Sequence, residues 1–274
     1  MTDCVVPRSA SNAAKPAARL QRLDALRGLA VVWMTVFHFC FDLNFFGIWQ
    51  NQFLTDPWWV WQRAAIVTLF ICCMAMGQTL ACLAGQPADA FWRRWLQVAG
   101  CAALVSAGSY AVFPHSFIYF GVLHAVAVLS LVARFSPLMS MHAARGKALW
   151  WAGLAVILLY IAMQYIAENL HTTAANSYLI DVLNSGPGSI LGLVTTKPVT
   201  EDYVPLVPWL AVMCWAMAAT WWLQRTCPAW LGAPLGRWAR PLVWLGRHSL
   251  AWYMLHQPVL LGIIWLALSV LYWV

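Results

Sequence analysis

The chain has 274 residues, of which 62% are hydrophobic and 9% charged, with a formal net charge of +7. A soluble domain has about a quarter of its residues charged, so this composition excludes water as the main solvent of the chain. It also excludes nucleic-acid binding through a soluble basic face, because the positive charge sits in short segments between apolar runs.

A bilayer core about 30 Å thick is crossed by roughly 20 apolar residues rising about 1.5 Å each. Runs of that length predict seven spans, at 26–48, 57–84, 95–113, 117–134, 148–167, 204–223 and 244–272. The expected fold is all-α, a polytopic transmembrane helix bundle of about seven helices forming one domain over 19–274. A polar, alanine-rich cytoplasmic tail at 1–18 is expected to be disordered. The first apolar run is too long for a cleavable signal peptide.

Charge orients the spans. Arg8, Lys15, Arg19, Arg22 and Arg27 precede the first, Arg93 and Arg94 follow the second, and Arg134, Arg145 and Lys147 follow the fourth. With Arg225, Arg237, Arg240 and Arg247 after the sixth, fourteen of sixteen Lys and Arg fall on one side. The N-terminus is therefore expected in the cytoplasm and the C-terminus outside. The opposite side carries Asp56, Glu168, Asp181, Glu201 and Asp202. The eight cysteines lie mostly inside spans without a C-x-x-C pair, which points to packing and to no metal.

Between the fifth and sixth spans, 168–203 reads as an outside loop of 36 residues with an apolar patch at 178–183 and a Gly186-Pro187-Gly188 turn. A loop this long is either a connector or functional, and the patch suits a partly embedded lid over an outward-facing site. Residues 228–241, with Trp230, Trp238, Arg237 and Arg240, suit the headgroup layer. Pro258 removes a backbone donor inside the last run, where a kink or opening is expected.

Ionisable groups inside spans cost several kcal/mol each and are candidates for function. Here they are His38 and Asp42 in the first span, Arg63 in the second, His124 in the fourth and His256 in the seventh. Arg27 and His38 stand about three turns apart on one helix face, roughly 16 Å along the axis. Asp42, one turn further, is placed to fix the His38 tautomer and leave its other nitrogen as a general base. Arg63 stands at comparable depth, so an Asp42–Arg63 ion pair is the rival role for Asp42. His124 and His256 are equally readable as hydrogen-bonded packing residues.

The segment Arg22-Leu-Asp24-Ala-Leu-Arg27-Gly28-Leu-Ala, followed by Met34 and Phe37-His38-Phe-Cys-Phe-Asp42-Leu, resembles the opening of the heparan-α-glucosaminide N-acetyltransferase catalytic-domain family. The resemblance continues in Tyr119-Phe120-Gly121-Val-Leu-His124, in Asp202-Tyr203-Val-Pro205-Leu-Val-Pro208-Trp209, and in Leu245-Gly246-Arg247-His248-Ser249-Leu250 with Tyr253 and His256-Gln257-Pro258. The Arg27-to-His38 spacing is also similar to the R-x10-H signature of the membrane O-acyltransferases of acyltransferase family three. In the lysosomal family member the catalytic histidine follows the start of helix exit, and no histidine stands between 39 and 114 here. His38 accordingly rests on that spacing and its own chemistry.

The resemblance implies acyl transfer, acetyl above all, from cytoplasmic acyl-CoA to a hydroxyl or amine of an extracytoplasmic sugar or glycan. Its expected setting is the bacterial cytoplasmic membrane, where homo-oligomers are also compatible with it. In that reading His38 and Asp42 are catalytic, Arg27 and Arg22 hold the acyl-CoA phosphates, and Arg63, His124, His256 and Asp202 serve the acceptor or the oxyanion. The alternatives are a permease for a small polar or anionic solute and a structural membrane protein. The first lacks a visible inverted repeat, and the second leaves the Arg27–His38 alignment unexplained.

Overall fold

A computed structural model describes residues 20–136, 145–170 and 177–271, so the expected tail at 1–18 lies outside the described residues. Six helices are long and apolar enough to cross a membrane. They are α1 (Gln21–Phe45), α2 (Pro57–Leu83), α3 (Ala88–Val112), α5 (Arg145–Leu170), α8 (Leu206–Thr226) and α11 (Ser249–Leu271). Shorter helices are α4 (Val122–Phe135), α6 (Ser177–Asn184), α7 (Gly186–Leu191), α9 (Pro228–Gly232) and α10 (Arg240–Arg247). Among the described residues there is one isolated parallel bridge, Phe120 to Tyr203, and no strand. Large apolar side chains such as Leu96, Leu104, Trp151, Ile161, Trp265 and Leu266 stay exposed, as lipid-facing positions require.

The chain divides into two compact units. The terminal unit comprises residues 18–73 and 229–274, and the central unit covers 74–228.

In the terminal unit, α1 and α10 touch backbone to backbone. A Cβ on Gly28 would lie 2.0 Å from the Leu242 carbonyl oxygen, and one on Gly246 would lie 1.7 Å from that of Asp24. Only glycine admits this approach, the small-residue packing common between membrane helices. α2 opens where its sequence directs, with Pro57 in the first turn and Asp56 Oδ1 accepting the Trp58 N–H at 2.8 Å. An aromatic cluster of Phe37, Phe53 and Trp59 with Met34 and Ile66 forms the core beside α1. Edge-to-face contacts at 5.9 Å join Phe37 to both Phe53 and Trp59.

The last apolar run, 244–272, is not one helix. It breaks at His248 between α10 and α11, and α11 then passes through Pro258 without interruption. The expected opening at the proline is therefore displaced ten residues upstream, where the His248 N–H is shared between the Trp244 and Leu245 carbonyls.

In the central unit, the fourth expected span is shortened to α4, whose fourteen residues rise only about 21 Å. Its expected first third is extended instead, because the chain before it pairs with the stretch before α8: Glu201 N–H bonds the Ser116 carbonyl at 2.9 Å and Val204 N–H bonds the Phe120 carbonyl at 3.1 Å. Among its described residues, the expected 36-residue loop is in good part helical. α5 continues to Leu170, the apolar patch becomes α6, and the Gly186-Pro187-Gly188 segment opens α7 rather than forming a free turn, since proline's fixed φ suits a first helical turn.

Candidate functional site

The polar residues of α1 and α11 meet in the terminal unit. His38 Nδ1 lies 2.7 Å from Gln257 Oε1, and Gln257 Nε2 donates to Asp42 Oδ1 at 2.7 Å. Asp42 therefore reaches His38 through the Gln257 amide, not by the direct i,i+4 contact expected from spacing. The side chain arriving from α11 occupies the space that helical spacing alone leaves open. Asp42 is 1% exposed, and its Oδ2 is buried without a hydrogen-bond partner.

His256 lies edge-on to His38, ring centres 5.0 Å apart. Its Nδ1 is 2.7 Å from the Tyr253 carbonyl, which only accepts, so Nδ1 carries the hydrogen and Nε2 the lone pair. That Nε2 is buried and unpartnered. Expected at the acceptor or the oxyanion, His256 in this tautomer presents an acceptor, suited to an incoming N–H or O–H. Arg63, half-buried on α2, forms no ion pair with Asp42 among the described residues, so similar depth did not bring the two together.

Three turns before His38, the N-terminal end of α1 holds the arginines. Asp24, 2% exposed in the first turn, takes Arg27 Nη1 on Oδ1 at 3.4 Å and Arg247 Nε on Oδ2 at 3.5 Å. Arg22 stacks on the Trp230 ring with its guanidinium carbon 4.3 Å from the ring centre. Two guanidiniums share one carboxylate, which leaves excess positive charge beside Arg22 at this end of α1.

His124 and Asp202 belong to the central unit and work there on the start of α4. Asp202 Oδ2 accepts the Val122 N–H at 2.9 Å, capping a helix whose own N-cap residue, Gly121, has no side chain. His124 Nδ1 accepts the Gly121 N–H at 3.3 Å, so its Nε2 carries the hydrogen toward Ser106 Oγ at 3.1 Å. Ser106 in turn donates to the Ile118 carbonyl at 2.6 Å. Both imidazole nitrogens are thus engaged locally. Asp202→Ala is expected to lower stability by about 1–2 kcal/mol, seen as a drop in Tm of the purified protein, with Asp202→Asn retaining most of it. Nearby, burial pushes the Tyr203 phenol up to about 12, so it stays protonated and donates to the Ser189 carbonyl at 2.5 Å.

Gln257, Asp24 and Arg247 are site residues that spacing on single helices did not mark. The available signal was an amide inside an apolar run, next to His256. No group of three or more metal-ligating side chains occurs among the described residues.

Six apolar helices, two of them joined by an imidazole–amide–carboxylate chain, define a multi-pass helical membrane protein with a polar centre inside its spans. The family model for the heparan-alpha-glucosaminide N-acetyltransferase catalytic domain matches residues 19–258, and the chain belongs to this family. Membership makes it a membrane enzyme of acetyltransferase type. No curated protein and no solved structure matches it significantly.

Proposed function

We propose that the protein transfers an acyl group, acetyl in the first instance, from cytoplasmic acyl-CoA to a hydroxyl or amine of an extracytoplasmic sugar or glycan. Its setting is the bacterial cytoplasmic membrane. The observation that carries this reading is the pairing, on one helix, of a basic end at Arg22 and Arg27 with a half-buried, hydrogen-bonded imidazole at His38, about 16 Å beyond Arg27.

The guanidiniums of Arg27 and Arg22 hold the CoA phosphates, since a planar fork matches phosphate oxygens. The thioester then extends toward His38. As the acceptor oxygen or nitrogen attacks the thioester carbonyl, His38 Nε2 takes its proton, the new C–O or C–N bond forms and the C–S bond breaks. The departing sulfur leaves as CoA thiol after receiving that proton. Asp42 Oδ2 and His256 Nε2, both buried acceptors without partners, favour a ligand that brings N–H or O–H groups. The same unpartnered acceptors disfavour a permease for an anionic solute.

The test uses purified protein in detergent with acetyl-CoA and a glucosamine acceptor. Acetyl-CoA at about 100 times its Kd is expected to stabilise the protein by about 2.7 kcal/mol. Label from acetyl-CoA is expected to appear on the acceptor. Absence of stabilisation and transfer with every acyl-CoA tried, together with solute uptake into vesicles, would establish transport instead.

A further inference from the structure

We infer that Gln257 is the positioning residue that sets the His38 tautomer and conveys the charge of Asp42 to it, an assignment that rests on the acyl-transfer reading of His38. The direction of the amide follows from its neighbours. An ionised carboxylate only accepts hydrogen bonds, so the Gln257 NH2 faces Asp42, and the 2.7 Å separation from Nε2 to Oδ1 is that bond. Its Oε1, also acceptor-only, then faces His38 at 2.7 Å, which requires the hydrogen on Nδ1. The lone pair of His38 is thereby held on Nε2, the nitrogen that receives the acceptor's proton.

When that proton arrives, the imidazolium keeps its Nδ1–H on Gln257, and the amide dipole ends on the Asp42 carboxylate. Gln257 stays neutral and carries no proton away. The bridge also fixes the ring: rotation of His38 would break a short bond anchored on a different helix. Side-chain length matters, because asparagine is one methylene shorter and leaves one of the two bonds unmade. Among the described titratable groups, His38 and Asp42 bond this amide directly, His256 lies ring to ring with His38, and Tyr253 with His256.

The experiment compares full-length wild-type, Gln257→Leu, Gln257→Glu and His38→Ala proteins in lipid vesicles, with acetyl-CoA and glucosamine, across pH. Gln257→Leu is expected to lower kcat roughly 30- to 300-fold while KM for acetyl-CoA stays within about twofold. Gln257→Glu reproduces the bridge only when protonated, so its rate relative to wild type is expected to climb as pH falls, whereas the Gln257→Leu ratio stays flat. In 15N-histidine-labelled protein, the His38 signal, identified by its loss in His38→Ala, is expected to move from a single Nδ1–H tautomer to a mixture in Gln257→Leu. If Gln257→Leu works within about threefold of wild type while His38→Ala is inactive, the role of Gln257 is wrong and acyl transfer stands. If His38→Ala is active, the acyl-transfer reading itself falls. Should Gln257→Leu fail to fold, a pH-independent Gln257→Glu ratio overturns the assignment by itself.

Discussion

His38→Ala is expected to reduce acetyl transfer by about 10²- to 10⁴-fold, the usual contribution of a positioned general base. KM for acetyl-CoA is expected to change little, because Arg27, proposed to hold the phosphates, sits about 16 Å away along the helix axis and keeps its pairing with Asp24. The substitution also removes the donor that satisfies Gln257 Oε1, in a place where an unmade hydrogen bond costs about 1–3 kcal/mol. A modest fall in Tm should therefore accompany the loss of rate, and the two are separated by measuring acetyl-CoA stabilisation of the variant. Full stabilisation with lost turnover is the signature of a chemical role. Normal turnover in purified membranes would remove His38 from the mechanism.

Gly246→Ala is expected to destabilise the protein by about 3 kcal/mol or more, although it adds a single methyl group. Its Cβ would stand 1.7 Å from the Asp24 carbonyl oxygen, 2.6 Å from the carbonyl carbon and 3.0 Å from the Gly28 nitrogen. These are backbone atoms, with no flexible end to swing aside, so α10 has to move off α1. That displacement pulls Arg247 from Asp24, and weaker acetyl-CoA stabilisation is expected with the lower Tm. Gly262 provides the control. It lies in the body of α11 with nothing within 4 Å of an added Cβ, so Gly262→Ala is expected to be neutral or to stabilise by up to about 1 kcal/mol. Equal behaviour of the two alanine variants would show that α1 and α10 are not packed this closely.

The contrast between these glycines shows what a sequence conveys and what it withholds. Run length located the six long helices, because bilayer thickness acts on each helix separately. It overextended α4, whose start is fixed by Asp202, eighty positions downstream, a partner that no local window contains. It merged α10 with α11, since the break at His248 interrupts helical hydrogen bonding without interrupting hydrophobicity. In the site, α1 spacing correctly put Arg27, His38 and Asp42 on one helix. It could not show that a glutamine from α11 stands between two of them, nor that Asp24 would gather an arginine from α10. The ion pair between Asp42 and Arg63, weighed as the rival role for Asp42, is absent among the described residues for a similar reason: depth constrains position along a helix axis and leaves the direction around it unspecified.

The terminal unit joins α1 to helices that are made much later, and this sets the order of events during synthesis. His38 and Gln257 are separated by 219 positions. At about 5–20 residues per second, α1 is complete roughly 10–40 s before α11 exists to meet it. Throughout that interval the imidazole and carboxylate of α1 lack the amide that joins them, and Gly28 faces no α10 backbone. α1 thus enters the bilayer well before it reaches its final packing. A ribosome stalled before residue 240 would hold a nascent chain with α1, α2, α3, α5 and α8 but without α11, and so no assembled polar centre.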